Sequence, residues 1–412
     1  MTTRREFIRN SAVLVGAAAI GKRTLLAWPG RAAAKSKVVS VAAGDMIVEA
    51  KYNPEAVGRA FEAGLKELTG EKKAAGAWSS LFSPNDVVGI KINCIGAPKV
   101  STSLESVRAV IAGLKSAGVA ENNMIIWDRS DRELARTGLT INKGTEGVRV
   151  KGASTKSEAI LPWVEGYDKG AYISLEAGTL KRFKELVKRN FTENASYREI
   201  FNSVTWLWTL IQQGNADAQK YSQDIRRLYT DYNDREGIKR IADEVAGRFD
   251  DVVIEDEEKS FFSEIITREI TKLVNIAVLK HNEDSGVTWA TKNIALGMTT
   301  NKVRFHIDFC ARAISEILSH PSLKDKMVLH IGEAAKISTV SVAGARLAYD
   351  NRIFFSRDPV AMDRIGLDIL EAKRAEQGLE SIRKEAGHVA ACARRGVGTD
   401  ELSRIDLREI KA

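Results

Sequence analysis

Three short stretches place polar side chains in or directly after apolar runs, where an open α/β sheet presents groups to a ligand. In Ile90-Lys91-Ile92-Asn93 the alternation puts Lys91 and Asn93 on one side of a strand and the isoleucines on the other. A solvated edge strand has the same pattern, so the alternation leaves both readings open. The second stretch ends a strand in Lys280-His281-Asn282, turns through Gly286, and opens a predicted helix with Thr288 near its start and Lys292 one turn further on. Free backbone N–H groups and the dipole at a helix N-terminus attract anions, and lysines add the complementary charge. His281 among lysines would have its proton affinity lowered, which suits a neutral base near pH 7. In the third stretch Asp358 can cap a helix that starts at Pro359, while Asp363, five residues on, has no capping duty there.

These stretches predict one cleft for a small anionic substrate, bound through Lys91, Lys280 and Lys292. Asn93, Asp128, Thr288, Asn293 and Asp363 are the other expected binding groups, and His281, Lys280 and Asp358 the expected catalytic ones. Familiar alternatives lack their motifs. There is no Walker loop, no three-glycine dinucleotide fingerprint, no nucleophile elbow and no HExxH. His330 and Glu333 with His281 and Asp128 form the best conceivable mixed metal set, but neighbouring lysines would repel a cation. Cys94, Cys310 and Cys392 are too few and too scattered to hold an iron–sulfur cluster from this chain alone, and any other cofactor stays unknown.

The elements that must position these residues alternate between short apolar runs and amphipathic stretches. Strands are expected at Val38 to Ala43, Asp86 to Asn93, Met124 to Asp128, Val252 to Ile254, Leu273 to Leu279, Met327 to Ile331 and Arg352 to Phe355. Helices are expected from Pro54 to Leu68 and from Leu104 to Ala117, so that a strand–helix–strand unit delivers Asp128 to a strand's C-terminal end. The predicted class is α/β, with a mixed or mostly parallel sheet flanked by helices. Residues 175–250, rich in helix formers, read as a helical insertion in which Trp206 and Trp208 either line a cleft or pack.

With 44% hydrophobic and 28% charged residues, the 412-residue chain can bury a sizeable core. Its net charge of +8 is concentrated at the start: six basic residues against Glu6 in the first 34 give a surplus of five and leave about three for the rest. Nucleic acid is therefore not expected as a partner. Arg4-Arg5-Glu6-Phe7-Ile8, a short run rich in Ala and Gly from Ser11 to Gly21, and Ala32-Ala33-Ala34 follow one another in the order of a twin-arginine signal peptide. The expectation is a signal over 1–34 cleaved after Ala34, export by the twin-arginine translocase, and a periplasmic or secreted α/β domain over 35–412 with no transmembrane anchor.

Taken in order, the Lys-x-Asn strand (Lys91, Asn93), the Lys280-His281 strand end leading to Gly286-Val287-Thr288 and Lys292-Asn293, and the Asp358-Pro359-Val360-Ala361-x-Asp363 stretch resemble the prokaryotic family known as domain of unknown function 362. The resemblance runs over most of the chain from about Val38, with the helical insertion least typical. It implies that Lys91, Asn93, Lys280, Lys292, Asn293 and Asp358 face one cleft, and it implies no reaction. Many members of that family look like iron–sulfur proteins; this chain departs from them in having no cysteine cluster. The functional expectation is an exported enzyme acting on a small anion. A non-catalytic accessory protein for an exported redox partner is the alternative, and a metal-assisted hydrolase comes third.

Overall fold

A computed structural model describes residues 35–154, 163–175, 256, 258–302, 305, 310–341, 344 and 346–412. The expected signal peptide, Trp206 and Trp208, the strand at Val252 to Ile254 and all of the insertion beyond Leu175 lie outside the described residues. Lys35–Ala412 groups as one unit. In chain order its strands are β1 (Ser36–Ala42), β2 (Ile47–Val48), β3 (Lys51–Tyr52), β4 (Val88–Lys91), β5 (Met124–Ser130), β6 (Arg149–Ser154) and β7 (Tyr167–Ser174). There follow β8 (Lys259–Ser263), β9 (Lys272–Asn282), β10 (Gly286–Thr288), β11 (Met327–Val340), β12 (Arg346–Tyr349), β13 (Arg352–Ser356) and β14 (Ile405–Lys411). The helices are α1 (Pro54–Thr69), α2 (Ala74–Leu81), α3 (Leu104–Ser116), α4 (Asp131–Arg136), α5 (Ala290–Met298), α6 (Ala311–Ser319), α7 (Pro321–Lys324), α8 (Pro359–Glu376) and α9 (Gly387–Arg394).

Among the described residues, ten strands join in one sheet with the path β14-β1-β13-β11-β9-β4-β5-β6, and β10 and β12 pair with β9 and β11. The run β11-β9-β4-β5-β6 is parallel, while β13 lies antiparallel between β11 and β1. The sheet is thus mixed and mostly parallel, with helices on both faces, as an α/β pattern dictates. One face carries α1 to α3 over Val39, Ile90, Ile126, Ile276 and Phe355; the other carries α5, α6, α8 and α9 over Trp127, Leu273, Leu279 and Phe354. Adjacent residues of β13 serve opposite cores: Phe355 packs edge-on against Phe61 at 5.2 Å and Phe354 against Trp289 at 5.2 Å. That is the period-two rule of a strand buried on both sides.

Local signals place the helices. Asn53 caps α1, Pro54 opens it, and Gly70 ends it in the left-handed region, with Val57, Phe61, Leu65 and Leu68 forming the buried stripe. Two departures from expectation bear on the site. The residues from Gly286 to Thr288 are not a helix start but a strand that folds back on β9, with Gly286 at φ 63°, and α5 opens only at Ala290. Strand β4 ends at Lys91, so Asn93 lies in the following loop.

The chain leaves β4 through α3 to β5 on one side, and leaves β9 through α5 and α6 to β11 on the other. Because the two crossovers diverge and run over opposite faces, a crevice opens between the carboxyl ends of β4 and β9. Strand β9 also outruns β4: Asn275 pairs with Lys91, and β9 continues to Asn282.

Candidate functional site

The crevice is a cavity of about 230 Å³ lined by Lys91, Asn93, Ile95, Asp128, Arg129, Lys280, Asn282, Thr288, Lys292, Asn293, Leu296, Gly297 and Lys302. Strand parity explains three of these. In the antiparallel register Lys280 faces Thr288 and Asn282 faces Gly286, so Lys280, Asn282 and Thr288 project to one face. Helix α5 brings Lys292 and Asn293 across the opening, and Gly297 permits its approach: a Cβ there would lie 2.1 Å from Lys91 Cε.

Along the β4–β5 wall both lysines have their donors taken up inside the protein. Lys91 Nζ donates to Asp128 Oδ1 at 2.7 Å, to the Ile92 carbonyl at 2.6 Å and to Asn293 Oδ1 at 3.4 Å, which accounts for all three of its protons. Asp128 is equally occupied, accepting from the Cys94 and Arg129 N–H groups at 2.8 Å each. Its carboxyl stays below the usual range because Lys91 and these donors outweigh the opposing effect of burial. Lys280 donates to Asn93 Oδ1 and to the carbonyls of Ile95 and Val100. Burial pushes its ammonium down to about 7, with Lys91 and Lys292 adding repulsion and Asp128 opposing it. The amides continue the network: Asn93 Nδ2 donates to Asn293 Oδ1 at 2.8 Å, and Asn293 Nδ2 to Asn275 Oδ1 at 2.7 Å.

The β10–α5 wall differs. Lys292 Nζ donates to Asn282 Oδ1 and to Ser285 Oγ, which leaves one of its three protons without a partner among the described residues. Burial lowers its pKa. Thr288, 5% exposed, has a buried hydroxyl with no hydrogen-bond partner among the described residues. Leu296 lies on this side, and Ile95, 40% exposed, supplies apolar surface where the cavity meets solvent.

The structure therefore brings together Lys91, Asn93, Asp128, Lys280, Thr288, Lys292 and Asn293. It does not bring in the other three. His281 follows Lys280 on the strand and so points to the opposite face, where its Nδ1 accepts the Ser341 N–H at 3.3 Å. Burial, with Arg374 and Lys292 nearby, holds it down to about 4. Asp358 lies at the opposite end of the sheet, because β13 is antiparallel and its C-terminal end sits beside the start of β11. There it caps α8 through the Val360 and Ala361 N–H groups and accepts from the Ser36 hydroxyl and the Thr399 N–H.

Asp363 sits behind the cleft rather than in it. Its carboxylate accepts the Ala290 N–H at 2.6 Å, the Thr291 N–H at 3.0 Å and the Thr291 hydroxyl, filling the N-terminus of α5 that was expected to hold an external anion. Burial outweighs these bonds and raises it to about 7. Glu333 does the same for α3, accepting from the Ser103 N–H and the Ser103 and Ser106 hydroxyls, and burial lifts it to about 6. His330, facing the other side of β11, contacts Asn275 at 3.4 Å. The four residues of the conceivable mixed metal set are thus held apart. Among the described residues no group of three or more His, Cys, Asp or Glu is placed to hold a metal ion. The three cysteines are buried and unbridged.

Asn282, Arg129 and Lys302 line the cavity without having been singled out in the sequence. Asn282 was recoverable by parity, two residues beyond Lys280 on the same strand. Arg129 follows Asp128 but pairs with Glu133, and nothing in the sequence near Lys302 marks it.

Comparison with known proteins adds a partial match. The model of a family described as a domain of unknown function (DUF362) matches residues 226–368. That stretch contains Lys280, Lys292, Asp358 and Asp363 but neither Lys91 nor Asn93, so the match is shorter than the resemblance over most of the chain implied. No curated protein matches. Among solved structures, the crystal structure of a protein from Thermotoga maritima is similar at 8% identity and a TM-score of 0.34, covering 84% of this chain and 60% of that one. The chain thus spans less than two thirds of that protein's length, and the likeness is too low to bear on function.

Proposed function

We propose that the cavity between β4 and β9 binds a small anionic molecule and that the protein acts on it. One observation carries the reading: among the described residues, four lysines and Arg129, itself paired with Glu133, line the cavity against one carboxylate, Asp128, which already faces Lys91. An excess of positive charge in a partly desolvated cleft at a switch point favours an anion over a neutral or cationic ligand. His281, the expected proton-transfer group, accepts the Ser341 N–H on the opposite face of β9 and takes no part in this reading. Calorimetric titration of the purified protein with small carboxylates, phosphate and sulfate tests this. Saturable binding that Lys292→Met weakens at least tenfold is expected, and absence of binding by any anion would remove the reading.

The paired arginines and the Ala32-Ala33-Ala34 stretch support a second element, export by the twin-arginine translocase. Replacing Arg4 and Arg5 by lysine is expected to retain the protein in the cytoplasmic fraction. Unchanged fractionation would refute export by this route.

A further inference from the structure

The two walls differ in what they can still offer a ligand, and that difference defines its chemical class. Resting on the anion reading above, we propose that the ligand is a carboxylate with a short apolar tail, seated with its two oxygens on Lys292 Nζ and Thr288 Oγ1 and its tail toward Leu296 and Ile95.

Three observations lead there. First, Lys91 and Lys280 each have three acceptors in the protein, so neither has a proton left for a ligand. Lys292 has two acceptors and one proton to give. Second, the Thr288 hydroxyl is buried in the cavity wall without a partner, a state that costs about 1–3 kcal/mol unless something bound there completes it. Third, the Ala290 and Thr291 N–H groups at the N-terminus of α5, the backbone donors a phosphate group ordinarily draws on, are already occupied by Asp363. An ammonium proton and a hydroxyl match two carboxylate oxygens. They leave the remaining oxygens of a tetrahedral dianion poorly served. The partly exposed Ile95 side chain and Leu296, both in the cavity lining, give a tail of a few methylenes apolar surface to cover.

The test is competition and calorimetry on the whole protein with acetate, butyrate and hexanoate against inorganic phosphate and sulfate, at constant ionic strength. Affinity is expected to rise from acetate to butyrate by about tenfold or more for the two added methylenes. Phosphate is expected to compete at least tenfold more weakly than butyrate. Thr288→Val, which keeps the side-chain shape, and Lys292→Met are each expected to weaken butyrate binding about tenfold; if the lysine variant does not fold, the threonine variant carries the test alone. Tighter binding of phosphate or sulfate would overturn the carboxylate assignment while leaving an anion cleft. Butyrate binding indifferent to Thr288→Val would overturn the seat. No binding by any of the five would overturn the anion reading itself.

Discussion

The β4–β5 wall and the β10–α5 wall enclose the same cavity and are built from the same residue types, yet one is closed on itself and the other is open. Lys91 and Asp128 form a buried ion pair, 1% and 7% exposed at their side chains, with every remaining donor and acceptor engaged by backbone or amide groups. Lys292 and Thr288 are as well buried but retain one proton and one hydroxyl. Burial of a lysine therefore does not by itself mark a ligand contact. What separates a scaffold lysine from a binding lysine is whether its hydrogen-bond capacity is already met.

The comparison breaks most sharply at Lys91. Lys91→Met leaves the Asp128 carboxylate buried without its cation and is expected to lower the unfolding free energy by about 3–5 kcal/mol in urea denaturation. Lys292→Met removes bonds to neutral acceptors only, and a loss near 1 kcal/mol is expected. Equal losses would erase the distinction between the walls.

Asp363 holds the N-terminus of the helix that carries the open wall, and it gives a pH dependence. Its folded pKa of about 7 lies above the ordinary 3.8, so its contribution to stability is complete below about pH 4 and is lost as pH rises through 7. His388, whose Nε2 lies 3.9 Å from Asp363 and which burial holds down to about 3, contributes in the opposite sense, its share being lost as pH falls from 6.5 toward 3. Subtracting the pH–stability curve of Asp363→Asn from that of the wild type isolates the carboxyl. The difference is expected to fall by about 2–4 kcal/mol between pH 4 and 7, at about 1.4 kcal/mol per pKa unit. A flat difference would mean that Asp363 stays ionised.

Gly297→Ala forces α5 away from Lys91, where the added carbon would meet Cε at 2.1 Å. A cost of about 1–3 kcal/mol in thermal unfolding is expected, with weakened anion binding because Lys292 moves with the helix. The smallest effect sharpens the contrast: Thr288→Val removes an unpartnered hydroxyl and is expected to leave stability unchanged or raise it by up to about 1 kcal/mol. A loss of stability would reveal a partner for that hydroxyl inside the fold.

By itself the sequence determined the α/β class, the strands that carry Lys91, Asp128 and Lys280, the helix from Pro54, and the cap at Asp358. Alternation, amphipathic spacing and capping are local, and a chain segment carries them wherever it ends up. The gathering of Lys91, Lys280 and Lys292 was also legible, because polar groups at strand ends of an α/β sheet converge at its carboxyl edge. Only the tertiary structure decided the rest. His281 left the cleft through the parity of β9 once β10 folded back on it. Asp358 went to the far edge because β13 runs against its neighbours, a choice of strand direction that no local pattern encodes. Asp363 claimed the α5 N-terminus from 72 residues away in the chain. Which lysine keeps a proton for a ligand was set by acceptors from distant segments, 37 residues away for Asp128 and 202 for Asn293. Hydrogen-bond saturation is a property of assembled neighbours, and spacing along the chain carries no record of it.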